Sequence, residues 1–330
     1  MLLSTSSSEI QSVKARIDGF TVAIIATVVA ALIVAEIVSF GWFDRTSKVQ
    51  RREVAQRKAL LTVRDLPTSD LPHIAVVGGS LMLDGFDVPL FSERFGSKVA
   101  TAPYFVLATQ YYDWYFGLRR LFAEGIRPRY VLLGLSPNQL ASPDIRGDYS
   151  ARYLFQASDL VSVARRTGMD ATAASGFVLS HYSEFYGTRD VIRRFLLQKL
   201  LPSVSELLHN RLESGRAPAL TTDVLDRSAI ERLRDLDELC RENGARFVFV
   251  VPPTYQKGAE ELVRIGSEQH IAVLAPVPSN TLPDSDYSDG FHLNEHGARI
   301  FTNRLAEDLP KALPELGLPA GGSSTASTYR

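Results

Sequence analysis

Cysteine is almost absent from this chain: 330 residues contain one, Cys240. A lone cysteine excludes an intramolecular disulfide framework, and without a C-x-x-C partner it excludes a thiolate metal clasp. Cys240 falls in a helical pattern and reads as a core filler. Compartment does not follow from this, because exported bacterial proteins also lack disulfides. An excess of charge of either sign is missing too. Lys and Arg number 36 against 37 Asp and Glu, a net charge of −1, so composition gives no nucleic-acid signal. There are no internal repeats. Gly78, Gly79 and Gly85 do not form G-x-G-x-x-G, which removes the dinucleotide fingerprint, and no cofactor is expected. What remains is 45% hydrophobic, enough for a sizeable core in one large domain or two small ones.

The first feature present is a long apolar run. Gly19–Ala35 carries no charge, and the run resumes after Glu36 as Ile37–Trp42. About 20 apolar residues cross a bilayer as a helix. No small-x-small cleavage pattern follows, so residues 19–43 read as an uncleaved transmembrane anchor after an N-terminal segment, 1–18. Trp42 and Phe43 suit an interfacial end. Glu36 either reaches the interface or faces a membrane partner. Lys14 and Arg16 precede the span, whereas Arg45, Lys48, Arg51, Arg52, Arg57, Lys58 and Arg64 follow it. The positive-inside rule therefore places the large domain in the cytoplasm. Residues 44–71 read as a basic juxtamembrane linker, or Phe43–Arg64 continues as a basic helix on a membrane surface or partner.

Beyond the Asp65–Pro72 linker, strands and helices alternate. Strands are expected at Ile74–Val77, Tyr104–Ala108, Tyr130–Leu135, Arg246–Val251 and Ile271–Ala275. Helices are expected at Val88–Phe95, Gln110–Glu124, Arg227–Asn243, Glu260–Glu268 and Asn294–Asp308. This alternation means an α/β fold, three layers α/β/α around a mainly parallel five-stranded sheet of flavodoxin-like type. The aromatics Tyr111, Trp114 and Tyr115 read as packing. Residues from about 150 to 216 lack strand alternation and read as a helical insertion, with Ala151–Arg166, Asp170–Ser180, Arg189–Leu200 and Pro202–Leu212 as its helices. Its pairs Arg165-Arg166 and Arg193-Arg194 read as a solvated face, or as a surface for an anionic polymer or lipid head groups. Ala217–Asp226 reads as a loop. The α/β domain spans 72–316, and 317–330 reads as a disordered tail, rich in Gly, Ser and Thr from Gly321.

Two stretches carry chemistry. The first is His73–Gly85, H-I-A-V-V-G-G-S-L-M-L-D-G. A buried strand runs into two glycines, which tolerate the angles of a sharp exit, and then into Ser80. A serine at the carboxyl end of a strand lies where open α/β sheets place their ligand sites. Ser80 is then a nucleophile, or the N-cap of the following helix. The second is Asp286–Gly297, D-Y-S-D-G-F-H-L-N-E-H-G. The spacing Asp289-x-x-His292 suits a turn that folds the carboxylate onto its own histidine. Such an aspartate fixes the tautomer, and the histidine activates a serine hydroxyl, a poor nucleophile by itself. Two rivals stand beside this: His292 and His296 as metal ligands, or Asp289 and His292 as helix caps. Asn294 reads as the cap itself, which places His292 before the helix, and no further ligand cluster is evident, so no metal is expected.

Together these stretches resemble the SGNH (GDSL-type) hydrolase superfamily, over Pro72–Leu313. The resemblance implies Ser80 as nucleophile, with Gly79 replacing the usual aspartate, and Asp289 and His292 as acid and base. The anchor, Val131–Asn138 (V-L-L-G-L-S-P-N) and D-G-F-H-L-N resemble one membrane-anchored branch: alginate O-acetylation proteins and the D-alanyl-lipoteichoic acid protein D. That branch implies an extracytoplasmic domain working beside a membrane-bound O-acyltransferase, against the charge count. It implies acyl transfer through an acyl-serine to a cell-envelope glycan or other acceptor. The same residues also fit a tethered esterase or lipase, or a non-catalytic adaptor of the membrane acyltransferase. The oxyanion blocks depart from the pattern. The second strand ends Leu107-Ala108-Thr109-Gln110 without the family's glycine, and Asn138 comes two residues late. The expected donors are the Ser80 amide, Ala108 and Asn138, and each lost donor costs about 3 kcal/mol of transition-state stabilisation.

Overall fold

A computed structural model of the chain describes residues 19–39, 47–63, 71–200 and 222–316. The N-terminal segment 1–18, Trp42 and Phe43, residues 65–70 of the linker, Pro202–Leu212, residues 217–221 of the expected loop and the tail 317–330 lie outside them. Five strands, β1 (His73–Gly78), β2 (Ala100–Phe105), β3 (Tyr130–Gly134), β4 (Arg246–Val250) and β5 (Ala272–Leu274), form one sheet in the order β2-β1-β3-β4-β5. Every pairing is parallel. The helices before the insertion are α1 (Gly19–Ser39), α2 (Lys48–Thr62), α3 (Ser80–Gly85), α4 (Val88–Phe95), α5 (Tyr111–Ala123) and α6 (Pro137–Ala141). The insertion holds α7 (Asp148–Tyr153), α8 (Leu160–Arg166), α9 (Ala171–Tyr182) and α10 (Glu184–Leu200). Then come α11 (Thr222–Glu242), α12 (Ala259–Gln269) and α13 (Glu295–Ala312).

The strands are continuous apolar runs because both faces of the sheet are covered. Ala75, Val77, Val131, Leu133, Phe247 and Phe249 pack into one core with residues of α5, α11 and α12, Cys240 among them. Ile74, Val76, Leu132, Val248 and Val250 pack into a second core with α3, α4 and α13. The protein is thus a three-layer α/β/α fold with a five-stranded parallel sheet.

Four elements differ from expectation. The second strand is Ala100–Phe105 rather than Tyr104–Ala108. Pro103 sits inside it, which an edge strand tolerates. Helix α11 begins at Thr222, inside the expected loop, because buried Leu225 extends the row Ala229, Leu233, Leu236 and Cys240 by one turn. The expected helix Ala151–Arg166 divides into α7 and α8. Buried Leu154 and Phe155 leave the helix between them, and the Arg120 guanidinium donates to the Arg152 and Phe155 carbonyls at 3.3 and 3.1 Å. Helix α10 begins five residues before Arg189.

The stretch expected as a linker contains the folded helix α2, which lies along the edge strand β2. Pro103 has no N–H to offer outward. Of the next outward donors, the Phe105 amide donates to Gln56 Oε1 at 3.0 Å and the Leu107 amide to Glu53 Oε1 at 3.3 Å. Gln50, Glu53 and Leu60 are almost fully buried on the same helical face. Tyr149 hydrogen-bonds Gln50 and Glu53, and Arg57 pairs with Glu124 at 2.5 Å. Side chains of α2 thus satisfy the exposed sheet edge. Helix α1 is long and apolar enough to cross a membrane. Glu36, near its end, accepts from Ser183 Oγ and from the Glu184 and Phe185 amides at 2.7, 2.6 and 3.1 Å. The partner it meets is the first turn of α10, whose donors have no intrahelical acceptor.

Candidate active site

The strand order reverses direction between β1 and β3, so the loops leaving their carboxyl ends diverge and open a crevice. Ser80 emerges there from β1. The short helix it begins is seated by two glycines. Gly78 and Gly134 are register partners on β1 and β3. A Cβ on Gly134 would lie 2.1 Å from Met82 Sδ, and one on Gly78 would lie 2.6 Å from Met82 Cγ. Without side chains there, Met82 rests directly on the two strands and α3 comes down against the sheet.

His292 and Asp289 sit on the loop before α13. That helix packs on α3 and α4, which brings the loop over the end of β1. His292 Nε2 lies 2.9 Å from Ser80 Oγ, and His292 Nδ1 lies 2.7 Å from Asp289 Oδ2. With Nδ1–H donating to the carboxylate, Nε2 is free to accept from the serine hydroxyl. Asp289 Oδ1 accepts from the Phe291 and His292 amides at 3.0 and 2.7 Å. Partial burial alone would raise the Asp289 pKa. The His292 amide and ring and the Phe291 amide outweigh it and hold the carboxyl at about 2. Asp289 is therefore a carboxylate across the neutral range, fixed in position by two amides.

The competing roles are filled by other residues. The N-cap of α3 is Gly79, with no side-chain cap bond, so the Ser80 hydroxyl is directed to His292. The cap of α13 is Asn294, whose Oδ1 accepts from the His296 and Gly297 amides at 3.0 and 3.1 Å. His296 turns away from His292 and pairs with buried Asp286 at 2.8 Å. Among the described residues no three His, Cys, Asp or Glu side chains gather as a metal site requires.

The expected oxyanion donors lie at the ends of β1 and β2 and on α6. The Ser80 amide lies in the first turn of α3, where N–H groups have no intrahelical partner. Ala108 takes a left-handed backbone conformation, φ 56°, just past β2. It stands between Leu107, held by Glu53, and buried Thr109, whose hydroxyl donates to the Val106 carbonyl and accepts from Trp114 Nε1. The side chain of α6 that reaches Ser80's neighbour Gly79 is that of Gln139. Gln139 Oε1 accepts from the Ser136 amide at 2.9 Å, which fixes the side chain's orientation. Its Nε2 then lies 3.4 Å from where a Cβ on Gly79 would stand, beside Thr109 Oγ1. A signal for this was available: Ser136-Pro-Asn-Gln139 is a capping box, whose fourth residue folds back over the helix start. No protein-family model and no curated protein matches the chain.

Proposed function

We propose that this protein is a membrane-anchored serine acyltransferase or esterase of the SGNH type. The observation that carries the reading is the unbroken relay from Ser80 through His292 to Asp289. A serine hydroxyl is a weak nucleophile until a positioned base takes its proton. In the reading proposed, Ser80 Oγ attacks the carbonyl carbon of an acyl ester while its proton passes to His292 Nε2. Asp289 stabilises the resulting imidazolium. The Ser80 amide and Gln139 Nε2 face the developing oxyanion. The tetrahedral intermediate collapses, His292 returns its proton to the departing alkoxide, and an acyl-serine remains. An acceptor hydroxyl then gives its proton to His292 and attacks the acyl carbon, and as the second tetrahedral intermediate collapses the departing Ser80 oxygen takes that proton from His292, which restores the free serine. A sugar hydroxyl makes this a transfer; water makes it a hydrolysis.

We favour transfer to a cell-envelope glycan beside a membrane-bound O-acyltransferase, with the α/β domain outside the cytoplasm. The support is twofold: the resemblance of the two chemical stretches, and an apolar helix long enough to hold the domain at a membrane. The basic residues that argue for the opposite orientation belong in part to folded α2, where Arg57 is paired with Glu124.

Fluorophosphonate labelling of the full chain in membranes tests the serine. Ser80→Ala and His292→Ala are each expected to abolish labelling. A wild-type protein that stays unlabelled, or a Ser80→Ala variant that still labels, would overturn the catalytic reading in favour of an adaptor. Transfer and hydrolysis are separated by giving the labelled-acyl enzyme a glycan acceptor and asking whether the label leaves as ester or free acid.

A further inference from the structure

We propose that the corner between α9 and α10 is a second membrane contact, with Leu179 and Tyr182 resting in the headgroup and acyl boundary of the leaflet where α1 ends. Three observations converge on it. First, Leu179 and Tyr182 are large, three residues apart on one face of α9, and 48% and 65% exposed. The opposite face of the same helix is used inward: Phe177 is buried in the core.

Second, the corner is fastened to the apolar helix at a defined depth. Glu36 lies three residues before Ser39, the last described residue of α1, about 4.5 Å along a helix rising 1.5 Å per residue. Its carboxylate holds Ser183, Glu184 and Phe185, the residues directly after Tyr182. If α1 spans the bilayer, these residues sit toward the carboxyl-terminal end of the span, the region where interfacial helices lie. Around them, Ile37 and Val38 of α1 remain exposed at 68% and 64%, while Ser39 is covered. The patch on α9 is thus adjacent to a lipid-facing wall. An amphipathic tyrosine ring beside a leucine suits that depth.

Third, the corner is tied rigidly to the rest of the protein. Glu184 pairs with Arg152 at 2.6 Å and accepts from Tyr153 OH at 2.7 Å. Arg152 also donates to the His181 carbonyl, and Ser180 donates to Asp148. Through α7 these bonds reach Asp113 by way of Ser150. A bilayer contact at the corner therefore sets the attitude of the α/β domain, and the domain is seated on the membrane instead of swinging from a tether.

The experiment is nitroxide accessibility in the full chain, reconstituted in vesicles of phosphatidylethanolamine and phosphatidylglycerol. Labels are placed at Leu179→Cys and Tyr182→Cys. Val263→Cys, on α12 beside the far edge strand β5, serves as the aqueous reference; the native Cys240 is fully buried. Labels at 179 and 182 are expected to collide with oxygen several-fold more, relative to an aqueous nickel chelate, than the label at 263. Glu36→Ala is expected to move the label at 182 toward the aqueous reference. Free access of nickel to 179 and 182 would overturn the proposal. Shielding from both reagents would also overturn it and assign the patch to a protein partner. Serine labelling is read separately, so failure here and failure of the catalytic reading are distinguishable.

Discussion

Two loops at the carboxyl ends of neighbouring strands use glycine in opposite ways. The turn after β1 has two glycines, Gly78 and Gly79, and neither takes a left-handed conformation; Gly79 has φ −87°. The turn after β2 has none, yet Ala108 takes φ 56° there. The glycines of the first turn are therefore matters of space. Gly78, with Gly134 across the ladder, clears a seat for Met82, and Gly79 leaves open the region before Gln139 and Thr109. In the second turn the left-handed backbone is imposed by its neighbours, with Glu53 holding Leu107 and the Trp114–Thr109–Val106 chain holding Thr109. A glycine in a sequence marks a close approach as readily as it marks a special dihedral angle.

The largest effect should come from the side chain facing the open region at Gly79. Gln139→Leu removes the amide donor that the proposed mechanism turns toward the oxyanion. The expected loss in the acylation rate is about 10²–10³-fold, equivalent to roughly 3–4 kcal/mol. Asn138→Ala should leave the rate nearly unchanged. Gln139 also serves the capping box of α6, so a loss of stability alone is anticipated at about 1 kcal/mol; only the rate of probe acylation distinguishes the two roles. Equal rates for Gln139→Leu and Asn138→Ala would return the oxyanion to backbone amides alone.

The next effect concerns the seat of Met82. Gly134→Ala places a methyl against Met82 Sδ and is expected to destabilise the fold by about 1–3 kcal/mol, as overpacking does. In chemical denaturation, Gly134→Ala with Met82→Ala should cost less than the two changes summed. The same rescue should fail for Gly78→Ala, because its methyl also meets the Gly134 carbonyl oxygen at 2.7 Å. Gly79→Ala meets nothing nearer than 3.4 Å and should change stability by less than about 1 kcal/mol. Equal costs at 78 and 79 would erase the distinction drawn between the two turns.

Much of the architecture was legible because strands covered on both faces are written as unbroken apolar runs. The site was legible in its parts: Ser80 after a strand and glycines, Asp289 three residues before His292. That these parts meet, across 212 residues, depends on α13 packing over α3, which no local pattern encodes. Helix α2 does not announce its docking in the sequence because its contact face is polar. Glu53 and Gln56 serve the edge of the sheet, and Gln50 meets Tyr149, where an apolar stripe would have announced a docked helix. Gln139 is silent as a residue type, and the direction of its side chain follows from the capping box around it. The start of β2 is hidden in the sequence because a proline such as Pro103 marks a breaker unless the strand is an edge.

The smallest effect is the sharpest test of the second turn. A left-handed conformation costs a residue with a Cβ on the order of 1 kcal/mol or more, and glycine avoids this at the expense of a more flexible unfolded chain. The two terms nearly offset, so Ala108→Gly should raise stability by no more than about 0.5–1 kcal/mol. Ala108→Val should move the other way and by more, since a β-branched residue is a true outlier at that φ. The sign of the pair matters more than either size. If glycine stabilises and valine destabilises, the turn after β2 holds its shape against the preference of its own residue, and the glycine that the SGNH resemblance leads one to expect there is replaced in conformation though not in kind. If both changes are neutral, Ala108 is relaxed, and the loop beside Ser80 is free to move.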